Sequence, residues 1–156
     1  MAEAVSFAAS VSEWAKNELG AAKAIFQLAA QTVANEVKKP LADGGAMPIK
    51  TGNLRRSLMA STAEMPTVKT DQTTFTDGGI ELVIAGAELG STVFLGFQAA
   101  YAARMNYGFV GTDSLGRVYN QTGFAFVDKV AQRWPQIVAE AEVTVRARFE
   151  AAPSQA

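Results

Sequence analysis

Two long stretches with helical periodicity enclose a middle section whose apolar residues follow a different period. Over residues 11–39 apolar side chains recur at three- and four-residue spacing, and the same spacing returns over residues 124–151. Within residues 67–97 apolar residues alternate with polar ones instead, which is typical of strands with one buried face. This order predicts an α+β fold, in which both long helices pack on one face of a three- to four-stranded antiparallel sheet.

Local signals predict where the long helices begin, end and bend. Ser10 followed by Glu13 fits a capping box before the first helix, and Pro40 ends that helix. In the second helical region Pro135 lacks a backbone donor and crowds the preceding turn. We therefore expect a kink or a restart near Trp134.

The middle section contains a short helix and several strands. Thr51 can cap a helix over residues 52–60. The turn at residues 77–79 is followed by alternating apolar residues at 80–84, which predicts a β-hairpin. A further strand is predicted over residues 92–97, with apolar side chains on both faces.

The stretch 101–123 begins like a helical turn and then loses all periodicity at a series of glycines. It predicts a long irregular loop, and such a loop is either packed on its own side chains or bound to a partner. Its aromatic and β-branched residues argue against disorder. Arginine and tyrosine dominate interface energetics, and the predicted contact residues in this loop are Arg104, Tyr107, Asp113, Arg117, Tyr119 and Asn120.

The composition excludes several kinds of chemistry. The chain has no cysteine and no histidine, so disulfides, thiolate nucleophiles, Cys/His zinc sites and Ser-His-Asp triads are impossible. No phosphate-binding glycine motif is present, and the net charge of −1 provides no general attraction for nucleic acid. We predict a protein that is not an enzyme and that needs no cofactor or metal.

The length of 156 residues predicts a single domain over residues 1–156, with residues 1–9 and 152–156 flexible. No apolar run approaches the ~20 residues needed to cross a bilayer, and the N-terminus lacks the pattern of a signal peptide. We therefore expect the protein to be made in a cytoplasm.

Two segments resemble one known family. The segment PIKTGNLRRSL at residues 48–58 resembles the "P, then TG-x-L-R-x-S" signature of the neck or tail-completion proteins of long-tailed bacteriophages, the family of the lambda Z protein. Tyr101-Ala102 followed by Tyr107-Gly108 resembles that family's "YA, then aromatic-Gly" segment, and residues 123–127 resemble the start of its last helix. Order and spacing agree over residues 48–145, although Asn106 stands where many members carry an acidic residue.

The resemblance implies a non-enzymatic α+β subunit of the virion that joins head to tail through protein contacts. It implies a ring of identical copies, with six preferred over twelve, through which the genome may pass, and docking to tail-terminator, tail-tube, head-closure or portal-side proteins. During assembly the protein would be in the host cytoplasm, and afterwards in the neck or tail of the virion. No membrane or sequence-specific nucleic-acid contact is implied. Asn53, Arg55 and Arg56 would face outward, toward an adjacent subunit.

Two other functions are compatible with parts of the sequence. One is a small carboxylate-dependent hydrolase using Asp113, with Glu88 or Asp128 as its second carboxylate. The other is a nucleic-acid-binding module using Lys50, Arg55 and Arg56, and its affinity would fall steeply with salt.

Overall fold

The protein is a mixture of helices and short antiparallel strands, which confirms the α+β class. The computed structural model describes the backbone of residues 2–151 and the side chains of residues 7–150. In chain order the elements are α1 (Ala2–Val37), α2 (Asn53–Arg56), β1 (Leu58–Ser61), α3 (Ile80–Ala85), β2 (Phe94–Phe97), α4 (Ala102–Tyr107), β3 (Gly108–Thr112), β4 (Val118–Thr122), α5 (Phe126–Gln132) and α6 (Trp134–Ala151).

The first helix, α1, is the longest element, with 36 residues and a length of about 54 Å. It begins at Ala2, so the predicted capping box is wrong and Ser10 lies inside the helix. It ends at Val37, close to the predicted stop at Pro40. The flexibility of residues 1–9 and 152–156 stays a prediction, and Met1 and residues 152–156 lie outside the described residues.

The two long helices pack against each other through small residues. Ala29, Ala30 and Ala34 on α1 are buried in one cluster with Ile137 and Ala141 of α6. Because alanine side chains are small, the backbones of α1 and α6 can approach each other closely. Farther toward the N-terminus of α1, Arg146 Nη1 lies 3.0 Å from Glu18 Oε1.

The C-terminal helical region is broken where proline predicted a kink. α5 ends at Gln132, Arg133 is its C-cap, and α6 begins at Trp134. Pro135 therefore occupies the first turn of α6, where a missing backbone donor costs nothing. Both helices contribute to one buried cluster, α5 with Val130 and α6 with Ile137 and Ala141.

β1 and β2 form an antiparallel pair, in which Leu58 lies opposite Phe97 and Ser61 opposite Phe94. The face that carries Leu58 and Ala60 packs against the long helices. The predicted strand at 92–97 is confirmed by β2. However, the predicted sheet of three or four strands is in fact two separate two-stranded sheets, β1–β2 and β3–β4.

Two predictions for the middle section are wrong. Residues 80–84 are not a strand but part of helix α3, with Ile80 and Ile84 buried and Leu82 81% exposed. The short helix predicted over 52–60 ends at Arg56, and β1 follows. The N-cap of this helix is Gly52 rather than the predicted Thr51, whose Oγ1 accepts the backbone N–H of Asn53 at 3.3 Å.

A second buried cluster lies beside the first and supports the stretch 101–123. It contains Met47, Leu54, Phe75, Ala99, Ala102 and Phe126. The ring of Phe126 meets that of Phe97 edge to face, with centroids 5.3 Å apart, and Phe97 also packs against the first cluster. Phe97 thus connects the β1–β2 sheet to the region from which the second sheet projects.

Candidate interaction surfaces

The stretch predicted to be an irregular loop, residues 108–123, is a regular β-hairpin. β3 pairs antiparallel with β4, with Gly108 opposite Thr122 and Thr112 opposite Val118. Every residue of β4 is exposed. The prediction of an irregular loop is therefore wrong, and the predicted contact residues Arg117, Tyr119 and Asn120 are exposed on this hairpin.

The turn of the hairpin is built around Asp113. Its Oδ1 accepts the backbone N–H groups of Leu115 and Arg117, each at 2.9 Å. Its Oδ2 accepts the Arg117 Nε–H at 2.6 Å and the Tyr119 hydroxyl at 3.3 Å. Three of the predicted contact residues, Asp113, Arg117 and Tyr119, therefore form one local network that fixes the turn.

This network predicts how the hairpin responds to acid. The backbone N–H of Arg117 is the main cause that holds the pKa of Asp113 below its usual value, and the Arg117 side chain adds to it. A carboxyl group whose folded pKa is depressed stabilises the folded state above its unfolded pKa and loses that contribution as the pH falls through the folded pKa. We expect an NMR titration of Asp113 to show this low pKa, and Arg117→Ala to raise it. A wild-type pKa of about 3.9, the unperturbed value, would contradict the network.

The two faces of the hairpin differ in what covers them. On one face the rings of Phe109 and Tyr119 lie 6.1 Å apart, and the guanidinium of Arg104 sits 4.3 Å above the Phe109 ring. The opposite face, called here the bare face, is exposed except for the half-buried glycine Gly108, and Val110 and Val118 are 77% and 79% exposed. Because cross-strand partners point to the same side of a sheet, the bare face consists of Gly108, Val110, Thr112, Val118, Asn120 and Thr122.

The base of the hairpin is fixed rigidly to the body. Gly108 has φ = +90°, and a Cβ there would lie 2.5 Å from the backbone oxygen of Gln121, so only glycine fits. Beside it, the buried Asn106 accepts the Val127 N–H at 3.0 Å and donates to Asp128 Oδ2 at 2.9 Å. Both bonds connect α4 to the start of α5, next to the base of the hairpin. Tyr107, also a predicted contact residue, is 72% exposed at this base.

The residues of the TG-x-L-R segment have different surroundings from those predicted. Asn53 is buried rather than outward-facing, and it bonds to backbone atoms of Thr73 and Phe75 and to the Tyr101 hydroxyl. Arg56 is half-buried and donates from Nε to the Phe75 carbonyl at 3.0 Å. Of the three, Arg55 alone is fully at the surface, on the rim of a polar cleft of about 760 Å³.

Two apolar surfaces that no described side chain covers were not predicted from the sequence. The first, called here the distal stripe, is formed by Phe7, Val11 and Trp14 on α1, which are 72%, 48% and 64% exposed. These residues are four and three positions apart and so share one side of the helix. That spacing is visible in the sequence and would have identified the stripe.

The second surface, called here the apolar groove, lies between α1, β2 and the break between α5 and α6. It holds about 550 Å³ and is lined by Phe26, Val33, Val93, Leu95, Val130 and Trp134 with smaller uncharged residues. Its walls come from segments that are far apart in the sequence, from Phe26 to Trp134. The sequence alone gave no signal for it.

The carboxylates considered for catalysis are held apart. Asp113 bonds within the hairpin turn, Asp128 bonds to Asn106, and Glu88 pairs with Lys23 at 3.2 Å. Among the described side chains of residues 7–150, no group of three or more acidic residues is arranged to hold a metal ion. No helix in the same range has the length and apolar character required to span a membrane.

The chain matches no protein-family model, and no curated protein or solved structure is significantly similar to it.

Proposed function

We propose that this chain is a non-enzymatic structural protein of the phage virion, placed at the junction of head and tail. In this role its copies form a ring that docks to tail-terminator or tail-tube proteins on one side and to head-closure or portal-side proteins on the other. The observation that carries the proposal is the β3–β4 hairpin. It is fixed to the body at Gly108 and Asn106, yet its bare face is covered by nothing in the described chain.

A hairpin of this kind is suited to binding another protein. An isolated two-stranded sheet is marginally stable in water, and a strand with an unpaired edge invites a further strand. Exposed apolar side chains such as Val110 and Val118 cost solvation free energy that burial in an interface would recover. The hairpin also lies in the part of the chain that resembles the phage family, between Tyr101 and Val127.

The distal stripe gives the same subunit a second apolar surface at the far end of α1. Exposed apolar patches on soluble proteins mark interaction sites. A subunit of a neck ring needs contacts to its own copies and to different proteins above and below, and these two surfaces lie on different elements. Six copies is the number that the family resemblance favours.

Assembly in a phage that lacks the protein would test the proposal. We expect such an infection to yield filled heads and separate tails, and addition of the purified protein to restore joined particles. The variants Val110→Asp and Val118→Asp should restore at least tenfold fewer particles. Val143→Asp is the matched control, because Val143 on α6 is 71% exposed and lies outside both surfaces.

Two results would contradict the proposed function. Heads and tails could join equally well without the protein, or purified protein could fail to bind tails and heads at any concentration. Equal loss of joining with all three aspartate variants would indicate a general effect of charge and would argue against the hairpin as the contact.

A further inference from the structure

The first helix, α1, extends beyond the helix that packs against it. Ala29 of α1 is buried in one cluster with Ile137 of α6. Farther along α6, the side chain of Arg146 pairs with Glu18 of α1 at 3.0 Å, so the two helices are antiparallel. Still closer to the N-terminus of α1, residues 7–14 are all exposed. About two turns of helix, which carry the distal stripe, therefore project past the contact with α6.

The distal stripe continues the face on which α1 contacts α6. Positions that alternate by three and four residues share one side of a helix. From the stripe this spacing leads to Glu18, which contacts α6, and then to Ala21, which is 1% exposed. One face of α1 is therefore buried along the body of the protein and exposed beyond it. Because α1 already packs an antiparallel helix on this face, a second helix fits its continuation.

The spacing of the stripe is close to symmetric about its middle. Val11 lies four residues after Phe7 and three before Trp14. In an antiparallel pair with both Val11 side chains on the twofold axis, residue 7 of one copy lies opposite residue 15 of the other, and residue 8 opposite residue 14. Each aromatic ring would then face an alanine, Ala8 or Ala15, of the other copy. Large side chains opposite small ones allow close packing, so the stripe is complementary to a second copy of itself.

No charged side chain opposes this pairing. Glu13 and Lys16 are one or two positions from Trp14, so they lie on other sides of the helix. The residues that flank the stripe are uncharged, namely Ala8, Ser10, Ala15 and Asn17. Two copies can therefore meet along the stripe without bringing like charges together.

The exposed area of the stripe indicates how strong the contact can be. A buried aromatic side chain covers about 150–250 Å², and Phe7 and Trp14 are 72% and 64% exposed. The two rings of one copy therefore offer about 300 Å², and a pair of copies about 600 Å², before smaller side chains are added. A standard stable interface buries about 1,600 Å² in total. The area thus indicates a reversible pair whose population depends on concentration.

We propose that two copies of this chain pair antiparallel through their distal stripes, with Val11 on the twofold axis. This contact goes beyond the proposed function, which needs a ring but no twofold pair. A twofold contact closes at two copies and cannot by itself build a ring of six. It leaves the hairpin of each copy free, so pairing and docking use different surfaces.

The oligomeric state of the purified full chain tests the pairing. We expect the average mass in analytical ultracentrifugation to rise with protein concentration up to about 1 mM. Val11→Asp places two carboxylates on the axis and should raise the dissociation constant of the pair at least tenfold. Ser12→Asp is the matched control, because Ser12 is exposed on another side of the helix, and it should leave the dissociation constant unchanged. Circular dichroism verifies that both variants remain helical.

Single cysteines report the register of the pair, because the chain has none of its own. Val11→Cys should form a disulfide-linked dimer on oxidation, since residues on the axis meet their own copies. Ala15→Cys is the matched control and should give at least tenfold less dimer. Antiparallel pairing places the two residues 15 about 12 Å apart along the helices, which is too far for a disulfide. This measurement does not depend on the folding of Val11→Asp.

The contrary outcomes overturn the pairing without deciding the proposed function. A wild-type chain that stays monomeric up to about 1 mM, or equal loss of pairing with both aspartate variants, would show that the stripes do not meet. Equal cross-linking at residues 11 and 15 would contradict the antiparallel register. A monomeric wild type whose tail binding is lost in Val11→Asp would assign the stripe to a different protein. Joining of heads and tails is measured separately, through the hairpin variants Val110→Asp and Val118→Asp.

Discussion

Replacing Asn106 with aspartate is expected to lower the free energy of unfolding by about 3 kcal/mol at neutral pH. The Asn106 amide donates to Asp128 Oδ2 at 2.9 Å, and only 5% of the residue is exposed. Aspartate at this position would place two carboxylates at hydrogen-bonding distance in a largely buried site. Electrostatic repulsion between the two carboxylates and loss of the amide N–H donor would both destabilise the folded state.

The pH dependence of this variant follows from the same geometry. Two adjacent carboxyl groups raise the folded pKa of one of them above its unfolded value. The repulsion is then relieved as the pH falls through that raised pKa, so the deficit of Asn106→Asp relative to wild type should shrink toward pH 4. Urea unfolding at pH 7, 5 and 4 measures this change.

The exchanged double variant, Asn106→Asp/Asp128→Asn, is the matched control. It restores one carboxylate and one amide, while the oxygen of residue 106 still accepts the Val127 N–H. We expect it to recover more than half of the lost stability, because the two changes are coupled through one contact. A deficit independent of pH, or a double variant with additive losses, would contradict the proposed pairing of Asn106 with Asp128.

Asn53→Ala is expected to have an effect of similar size, about 3 kcal/mol. The side chain accepts the Phe75 N–H at 2.8 Å and donates to the Thr73 carbonyl at 2.9 Å and to the Tyr101 hydroxyl at 3.3 Å. Alanine would leave the buried Phe75 N–H without its partner. The loop at residues 73–75 would then separate from α2.

Urea unfolding gives the stability change, and hydrogen exchange at the Phe75 amide reports the local opening. Asn120→Ala serves as the control, because Asn120 is exposed on the bare face and should cost less than about 0.5 kcal/mol. Tyr101→Phe removes the longest of the three bonds and should cost about 1 kcal/mol. A wild-type stability for Asn53→Ala would show that solvent replaces these bonds without loss.

The strongest periodic signals in the sequence predicted elements that the structure confirms. The apolar stripe predicted at residues 22–37 lies within α1, where Ala29 and Val37 are buried and Phe26 and Val33 are half-buried. The break at Pro135 needed no tertiary information, because proline lacks the donor that a continuous helix requires. β2 was predicted from β-branched and aromatic residues following a glycine turn.

The errors arise where one pattern fits two structures. Ile80 and Ile84 are four residues apart, a spacing that keeps them on the same face in a strand and on the same side in a helix. Leu82 distinguishes the helix from the strand, because a strand would place it on the same face as Ile80 and Ile84. Its 81% exposure is known only from the tertiary structure. In residues 108–122, the glycines at 108, 111 and 116 obscured the strand alternation that places Val110, Thr112, Val118 and Asn120 on one face of the hairpin.

The sequence by itself determined the α+β class, the long helices and their break, because these depend on periodicity and on backbone chemistry within a few residues. It also determined which chemistries are impossible, because cysteine and histidine are absent. Only the tertiary structure decided that Asn53 is buried and that the hairpin has one bare face. Each of those properties depends on which distant segment lies beside a residue, and burial and pairing between distant segments are not encoded in local spacing.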